Sequence, residues 1–419
     1  MLIDLIAGAA NAAPAHFDVE AATRAYLDTL QGPARAKSDA YFEGGYWLIL
    51  WSALVGIASH WLMLRLGWSA AWRRWAERVT KRRWLQPGLY ALPYVLIGSL
   101  IVLPWTIYTG FLREKQYDLM NQSFAGWARE QAIGLGIGLV TTAIMMLVIF
   151  AVIRKAPRSW WLWGTAAMTA MLALMLVIAP VFISPLFNKY TPMPEGTLRT
   201  EILAMARAHD IPADNVYVFD ASKQTKRISA NVSGLGPTIR ISLNDNLLNR
   251  STPAEVKAVM GHEMGHYVLG HIWRLLLSFA AMIFLVALIL WWATPRILAR
   301  WGAKWGVEGV ADPAVVPVFA IIITLFLLVT TPVFNTLIRT QEAQADAFGL
   351  DAAREPDGFA STAMKLSEYR KIEPTALEEA LFFDHPSGRT RVHGAMAWKA
   401  KHLAELPPAQ QAMVVPPKP

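Results

Sequence analysis

The chain contains no cysteine. That excludes disulfides, thiolate zinc sites and a cysteine nucleophile, and it leaves the redox compartment unread. Charge is scarce as well. Asp, Glu, Lys and Arg make up 17% of the 419 residues, against 54% hydrophobic. Soluble domains carry about 25% charged residues, so this composition points to a chain that meets lipid. No internal repeat is evident, which argues against a transporter built from two similar halves. The formal net charge is +8, but the basic residues gather in short loops between apolar runs. That pattern suits a membrane surface and not nucleic acid. Eighteen tryptophans, many at the ends of those runs, suit interfacial belts.

Six runs are long enough to cross a hydrocarbon core: Tyr46–Leu66, Gly88–Phe111, Glu130–Ile153, Ser159–Leu186, His271–Ala293 and Pro313–Leu337. His60 lies in the first, where an isolated imidazole is either functional or packed. The runs divide the chain into an N-terminal segment (1–45), four spans (46–186), a soluble region (187–270), two further spans (271–337) and a helical C-terminal region (338–419). Residues 1–15 are short and apolar, with small residues near their end and no basic start, and read as signal-like. Residues 17–45 read as a polar surface helix plus a loop. Trp68–Pro87 is strongly basic and reads as a segment on the membrane surface. A Pro-rich tail without fixed structure closes the chain.

The densest chemistry lies at Val259-Met260-Gly261-His262-Glu263-Met264-Gly265-His266. On a helix His262 and His266 are four residues apart, so both imidazoles leave one face and can chelate one zinc ion. Glu263 can reach a water on that ion and take its proton. Ser251-Thr252-Pro253-Ala254-Glu255 reads as a capping box that starts this helix, with Thr252 as cap and Pro253 first inside. A catalytic zinc takes three protein ligands and leaves a position for water. Glu342, on a helix leaving the sixth run, is the choice for the third ligand. Asp346 shares its face and could accept the free ring N–H of a ligand histidine. In Asp384-His385-Pro386, His385 could donate to the oxyanion of a tetrahedral intermediate, and Arg391 could hold that oxyanion or an outer acid. The alternative for this cluster is an exposed, proline-broken loop. His271 is five residues past His266, off the ligand face, and reads as structural or interfacial.

Asn215–Asp220 and Thr238–Leu243 read as strands joined by the Gly-containing segment Ser229–Gly236. Chain order suggests that the second strand passes the zinc site as an edge, where an extended substrate could add by main-chain hydrogen bonds.

At these motifs the chain resembles the type-1 CAAX prenyl proteases, which are integral-membrane gluzincin zinc metallopeptidases. The likeness rests on Gly261–His266 followed by Leu269-Gly270-His271, on Glu342–Phe348, and on His385-Pro386 with Arg391. Leu103-Pro104-Trp105, Ala179-Pro180, Pro185-Leu186-Phe187 and Pro192–Gly196 are also similar. The resemblance implies one Zn²⁺ per chain held by His262, His266 and Glu342, with Glu263 as base and Asp346 behind the ligands. It places His385 and Arg391 near the substrate. It also implies substrate contacts at Ser229, Ala230 and Asn231, where the family usually has an Asn-Ala-aromatic segment. The fold class expected is mainly α: a polytopic helical membrane protein whose spans enclose a chamber, with a small α+β zinc metallopeptidase region. The family usually has seven spans, one more than are found here.

The activity expected is an integral-membrane zinc metalloendopeptidase acting on hydrophobic or membrane-associated peptides, lipidated or not, with the bilayer as its other partner and no nucleic acid. A membrane-protein quality-control protease is the nearest alternative. A transporter or a non-catalytic membrane scaffold is the alternative of another class. The membrane expected is a bacterial inner membrane. With six spans, the positive-inside rule puts the basic loops in the cytoplasm and the zinc site outside. The family likeness implies a cytosolic site. The charge rule is preferred here.

Overall fold

The computed structural model describes residues 17–234 and 239–412. The signal-like start, part of the segment before the second predicted strand and the Pro-rich end at 413–419 lie outside the described residues.

Helix α1 (Val19–Leu27) is capped by Asp18, whose side chain accepts from the Ala21 N–H. Helix α2 (Gly32–Arg65) carries the first span, but it begins fourteen residues before Tyr46. The loop expected up to Gly45 is therefore helix. Pro33 sits in its first turn, where proline is tolerated; the helix runs through Gly44, Gly45 and Gly56, and Gly67, at φ 68°, follows its end. The next helices are α3 (Trp68–Val79), α4 (Gln86–Ile107), α5 (Phe124–Lys155) and α6 (Trp160–Ile178). A π turn carries α4 on toward Gln116.

The soluble region follows with β1 (Tyr190–Pro192), α7 (Thr197–Ala208), β2 (Val216–Phe219), β3 (Ala230–Ser233), β4 (Arg240–Asn244), α8 (Asp245–Arg250) and α9 (Pro253–Val268). Two long helices come next, α10 (His271–Trp305) and α11 (Val316–Ala353). Then α12 (Pro356–Leu366), α13 (Ala376–Phe382) and α14 (Gly388–Lys401) pack beneath the site.

Among the described residues, six helices are long and apolar enough to cross a membrane. They contact one another in chain order, α2 to α4 to α5 to α6 to α10 to α11, and α11 returns to α2. The result is a closed ring. Gly134, Gly136 and Gly138 on α5 have open space where a side chain would stand. Trp47, Trp51, Trp61, Leu100, Phe182 and Leu277 expose most or half of their surface, which water would penalise and lipid does not.

The three basic loops meet at the end of the ring away from the H-E-x-x-H motif. Arg154 donates to the carbonyls of Arg83 and Ala311. Arg73 departs from the expected surface role. It is buried, paired with Glu308 and 3.7 Å from Asp312. An arginine leaves water only when acids replace its solvation, and the two acids of the 306–312 loop do so here.

The sheet has the order β1-β2-β4-β3, with β2 and β4 parallel and the outer pairs antiparallel. Two expectations change. The segment between the predicted strands contains a strand of its own, β3, and β4 is interior. Ile241, Ser242 and Leu243 are all fully buried, so both faces of β4 are covered. The sheet edge beside α9 is β3.

Candidate metal centre

Helix α9 starts as its signature predicts. The Glu255 carboxylate accepts from the Thr252 N–H at 2.7 Å, and Thr252 Oγ1 accepts from the Glu255 N–H. Glu255 is buried and also takes Lys365 Nζ at 2.6 Å and the Ser361 hydroxyl. The motif helix is thereby fixed to α12 at its first turn. Along its other face it lies against α11 at very short range. A Cβ on Gly349 would stand 2.7 Å from the His262 nitrogen, and one on Gly261 would stand 2.9 Å from the Gly349 carbonyl oxygen. Only glycine permits that approach.

Close contact of α9 and α11 brings Glu342 to the two histidines. His262 Nε2 lies 3.1 Å from His266 Nε2 and 3.3 Å from Glu342 Oε2, and His266 Nε2 lies 3.3 Å from Glu342 Oε1. Donors about 2.0–2.1 Å from one tetrahedral ion are separated by about this much. Two imidazole nitrogens and a carboxylate form a donor set that suits zinc. The residues present therefore fit the ion.

Outer contacts fix each donor. Asp346 Oδ1 lies 2.8 Å from His262 Nδ1. Arg391 in turn holds Asp346 by two bonds, Nε to Oδ2 and a terminal nitrogen to Oδ1, each 2.9 Å. It also reaches Glu342 at 3.2 Å. Of the two roles open to Arg391, the structure places it on the acid and not on a free oxyanion position. His385 has Nδ1 2.7 Å from Asp384 and Nε2 3.2 Å from Glu342 Oε2, so the loop is folded into the centre.

Burial alone would lower the pKa of His262, but Asp346 and Glu342 raise it to about 10. Metal binding there must displace a proton. Glu263 lines the cavity beside these donors, and burial raises its pKa despite the neighbouring imidazoles. Ser229 and Ala230 line the same cavity, of about 350 Å³. Asn231 does not line it; it sits one residue along β3, opposite Ser242.

Comparison with known proteins follows the same division of the chain. Residues 192–399 match the model of peptidase family M48, and residues 24–189 match the CAAX prenyl protease N-terminal region, described as five membrane helices. The chain belongs to peptidase family M48. Four membrane-length helices occupy the stretch matched to the N-terminal model. Among M48 relatives, the uncharacterized metalloprotease YhfN of Bacillus subtilis is 29% identical over 352 residues, 81% of each chain. The CAAX prenyl protease 1 homolog of Dictyostelium discoideum is 31% identical over 271 residues, 61% of this chain and 60% of that one. The human homolog is 30% identical over 226 residues, 44% of this chain and 47% of its own length. The chain thus spans about three fifths or less of these two relatives. The crystal structure of S. mikatae Ste24p superposes with TM-score 0.74 at 20% identity, covering 90% of this chain and 95% of that one. The fold is shared. This M48 chain is an integral-membrane zinc metallopeptidase.

One residue of the M48 site was read differently from sequence. His271 Nδ1 lies 2.9 Å from His266 Nδ1, and its Nε2 lies 3.2 Å from Gln344 Oε1. With His266 Nε2 facing the metal position, its Nδ1–H can donate to His271, which then donates to Gln344. Arg274 also donates to that oxygen at 2.9 Å. His271 thus fixes the tautomer of His266.

Proposed function

We propose that this chain hydrolyses peptide bonds of hydrophobic or membrane-associated peptides at a single zinc held by His262, His266 and Glu342. The observation that carries this reading is the meeting of three donor groups from two packed helices, with the two imidazole Nε2 atoms 3.1 Å apart and each 3.3 Å from one carboxylate oxygen of Glu342, and with Glu263 alongside. When bound, zinc supplies a Lewis acid for the scissile carbonyl and brings the pKa of a water towards roughly 7. Glu263 takes the proton from the attacking water and returns it to the leaving amine nitrogen. His385 donates to the carbonyl oxygen as charge develops on it. Arg391 holds Asp346, and Asp346 holds His262, so these two act through the ligand. An extended substrate lies along the β3 edge, with Ser229 and Ala230 against it and Asn231 shaping the edge. The names of the relatives support a CAAX-type substrate, with or without a lipid.

Purified protein in detergent is expected to carry about one zinc per chain and to cut a quenched hydrophobic peptide. Chelation stops cleavage and added zinc restores it. Cleavage that ignores the chelator, or protein without zinc at full activity, would sink the reading.

We further propose a bacterial inner membrane, with the zinc centre on the outer side. The loops 65–85, 154–158 and 296–312 carry thirteen Lys and Arg against three acids, and positive loops are retained in the cytoplasm. Similarity to a Bacillus chain supports the bacterial setting. A reporter fused after Pro419 is expected to signal only outside the cytoplasm. A cytoplasm-only signal reverses the orientation.

A further inference from the structure

The catalytic cavity holds one cation without an ion-pair partner among the described residues. Three arginines line it. Arg391 is bound by Asp346 and Glu342. Arg227 pairs with Glu114 at 2.8 Å and donates to the Tyr41 hydroxyl at 2.6 Å. Arg370 is the third. Among the described residues its guanidinium makes no ion pair, hydrogen bond or ring contact. Its backbone is nevertheless fixed, since its carbonyl accepts from the Ser38 hydroxyl at 3.1 Å. The residue is half-buried where it lines the cavity. Burial pulls its pKa below the usual arginine value, and Arg391 beside it pushes in the same direction. The two acids that favour its charge are already engaged, Asp384 by His385 at 2.7 Å and Glu342 by the two ligand histidines and Arg391.

A half-buried guanidinium without an anion has lost part of its solvation, and charges in that position are normally paired. Surface arginines escape this because water solvates them. Arg370 lines the substrate cavity, where a substrate can supply the anion. The anion a peptide can bring is a carboxylate, and the planar fork of arginine matches a carboxylate with two parallel bonds.

We propose that Arg370 binds a carboxylate of the peptide substrate in the catalytic cavity and so selects which peptides are held for cleavage. This rests on the peptidase reading above. The carboxylate has two sources, the α-carboxylate at a peptide C terminus or an Asp or Glu side chain near the cut bond.

The test uses full-length, zinc-loaded protein in detergent and a matched set of fluorescent hydrophobic peptides: free acid, C-terminal amide, and versions with an internal Glu or Gln. Binding is read on the Glu263→Gln variant, which separates recognition from turnover. Cleavage is read on wild type. In the Glu263→Gln background, adding Arg370→Gln should weaken the preferred carboxylate peptide by about 10- to 100-fold, the worth of one charge-assisted pair. It should leave the matched neutral peptide unchanged. Arg370→Lys should recover part of the loss. In wild-type cleavage the same substitution should raise KM more than it lowers kcat. Dependence on the acid-to-amide change assigns the C terminus, and dependence on the Glu-to-Gln change assigns a side chain; either supports the proposal. Equal loss on charged and neutral peptides, or no loss on either, overturns it. If wild type cuts no peptide while binding still discriminates by charge, it is the peptidase reading that has failed and not this one.

Discussion

Replacing Glu263 by Gln should leave about one zinc per chain and lower kcat by about 10²–10⁴-fold, the usual worth of a positioned general base. Zinc retention follows from the donor atoms, none of which belongs to Glu263. The loss follows from its place in the cavity beside His262 and from the lack, among the described residues lining that cavity, of another carboxylate free to replace it. Glu342 faces both imidazoles, and Asp346 is held by His262 and Arg391. Glutamine keeps the shape and cannot take a proton. Zinc analysis and peptide cleavage on the same preparation decide the matter. Turnover near wild type with zinc in place would remove Glu263 from the mechanism.

A comparably large effect is expected from a residue with no side chain at all. Alanine at Gly349 would place a methyl group 2.7 Å from the His262 nitrogen and 3.0 Å from its Cα. Both are backbone atoms of a packed helix and cannot rotate away. Helices α9 and α11 must separate, and the donors they carry have no slack at 3.1–3.3 Å. Overpacking of this kind costs about 1–3 kcal/mol, so zinc affinity should fall by about 10- to 100-fold. Competition with a chelator measures it. Gly134→Ala is the control, because its new methyl group would meet nothing within 4 Å. Wild-type affinity in Gly349→Ala would show that the helix spacing is not what sets the metal centre.

Much of this site can be read from residue order because its parts are local. The four-residue spacing of His262 and His266 needs only a helix, and the Thr252–Glu255 box announces one. Glu342 stands out as an acid at the end of an apolar run. What could not be read depends on where helices stop and on what they meet. The judgement that His271 lies off the ligand face holds only along one continuous helix. Gly270, at φ 66°, ends α9 and starts α10 in a new direction, so the angular argument does not reach across it. A glycine between two histidines was the available signal.

The first span's early start has a similar origin. Residues 32–45 are polar and end in Gly44-Gly45, which reads as a turn, but the helix continues through that pair into the apolar run. The strand β3 was missed because Ser229–Ser233 has little alternation of its own and is held by pairing with β4, as in Val232 opposite Ile241. Arg73 and Arg370 illustrate the last limit. Composition counts both as surface charge, and only their surroundings show that one is paired inside the protein and the other waits in a cavity.

The span that ends at Glu342 has a mechanical side. Helix α11 is a rod of 38 residues, about 57 Å long at the α-helical rise. Its lower part is set in the basic end through the Pro313–Val315 turn, and its upper part carries Glu342 and Asp346. Helix α10 begins one residue past the short Leu269–Gly270 turn that follows the other ligands. Both halves of the coordination triangle are therefore coupled to elements that a bilayer tilts or straightens to match its hydrocarbon thickness. Lipid acyl length, a property of the host membrane and not of the protein, therefore acts on the same two rods whose close contact holds His262 and Glu342 together.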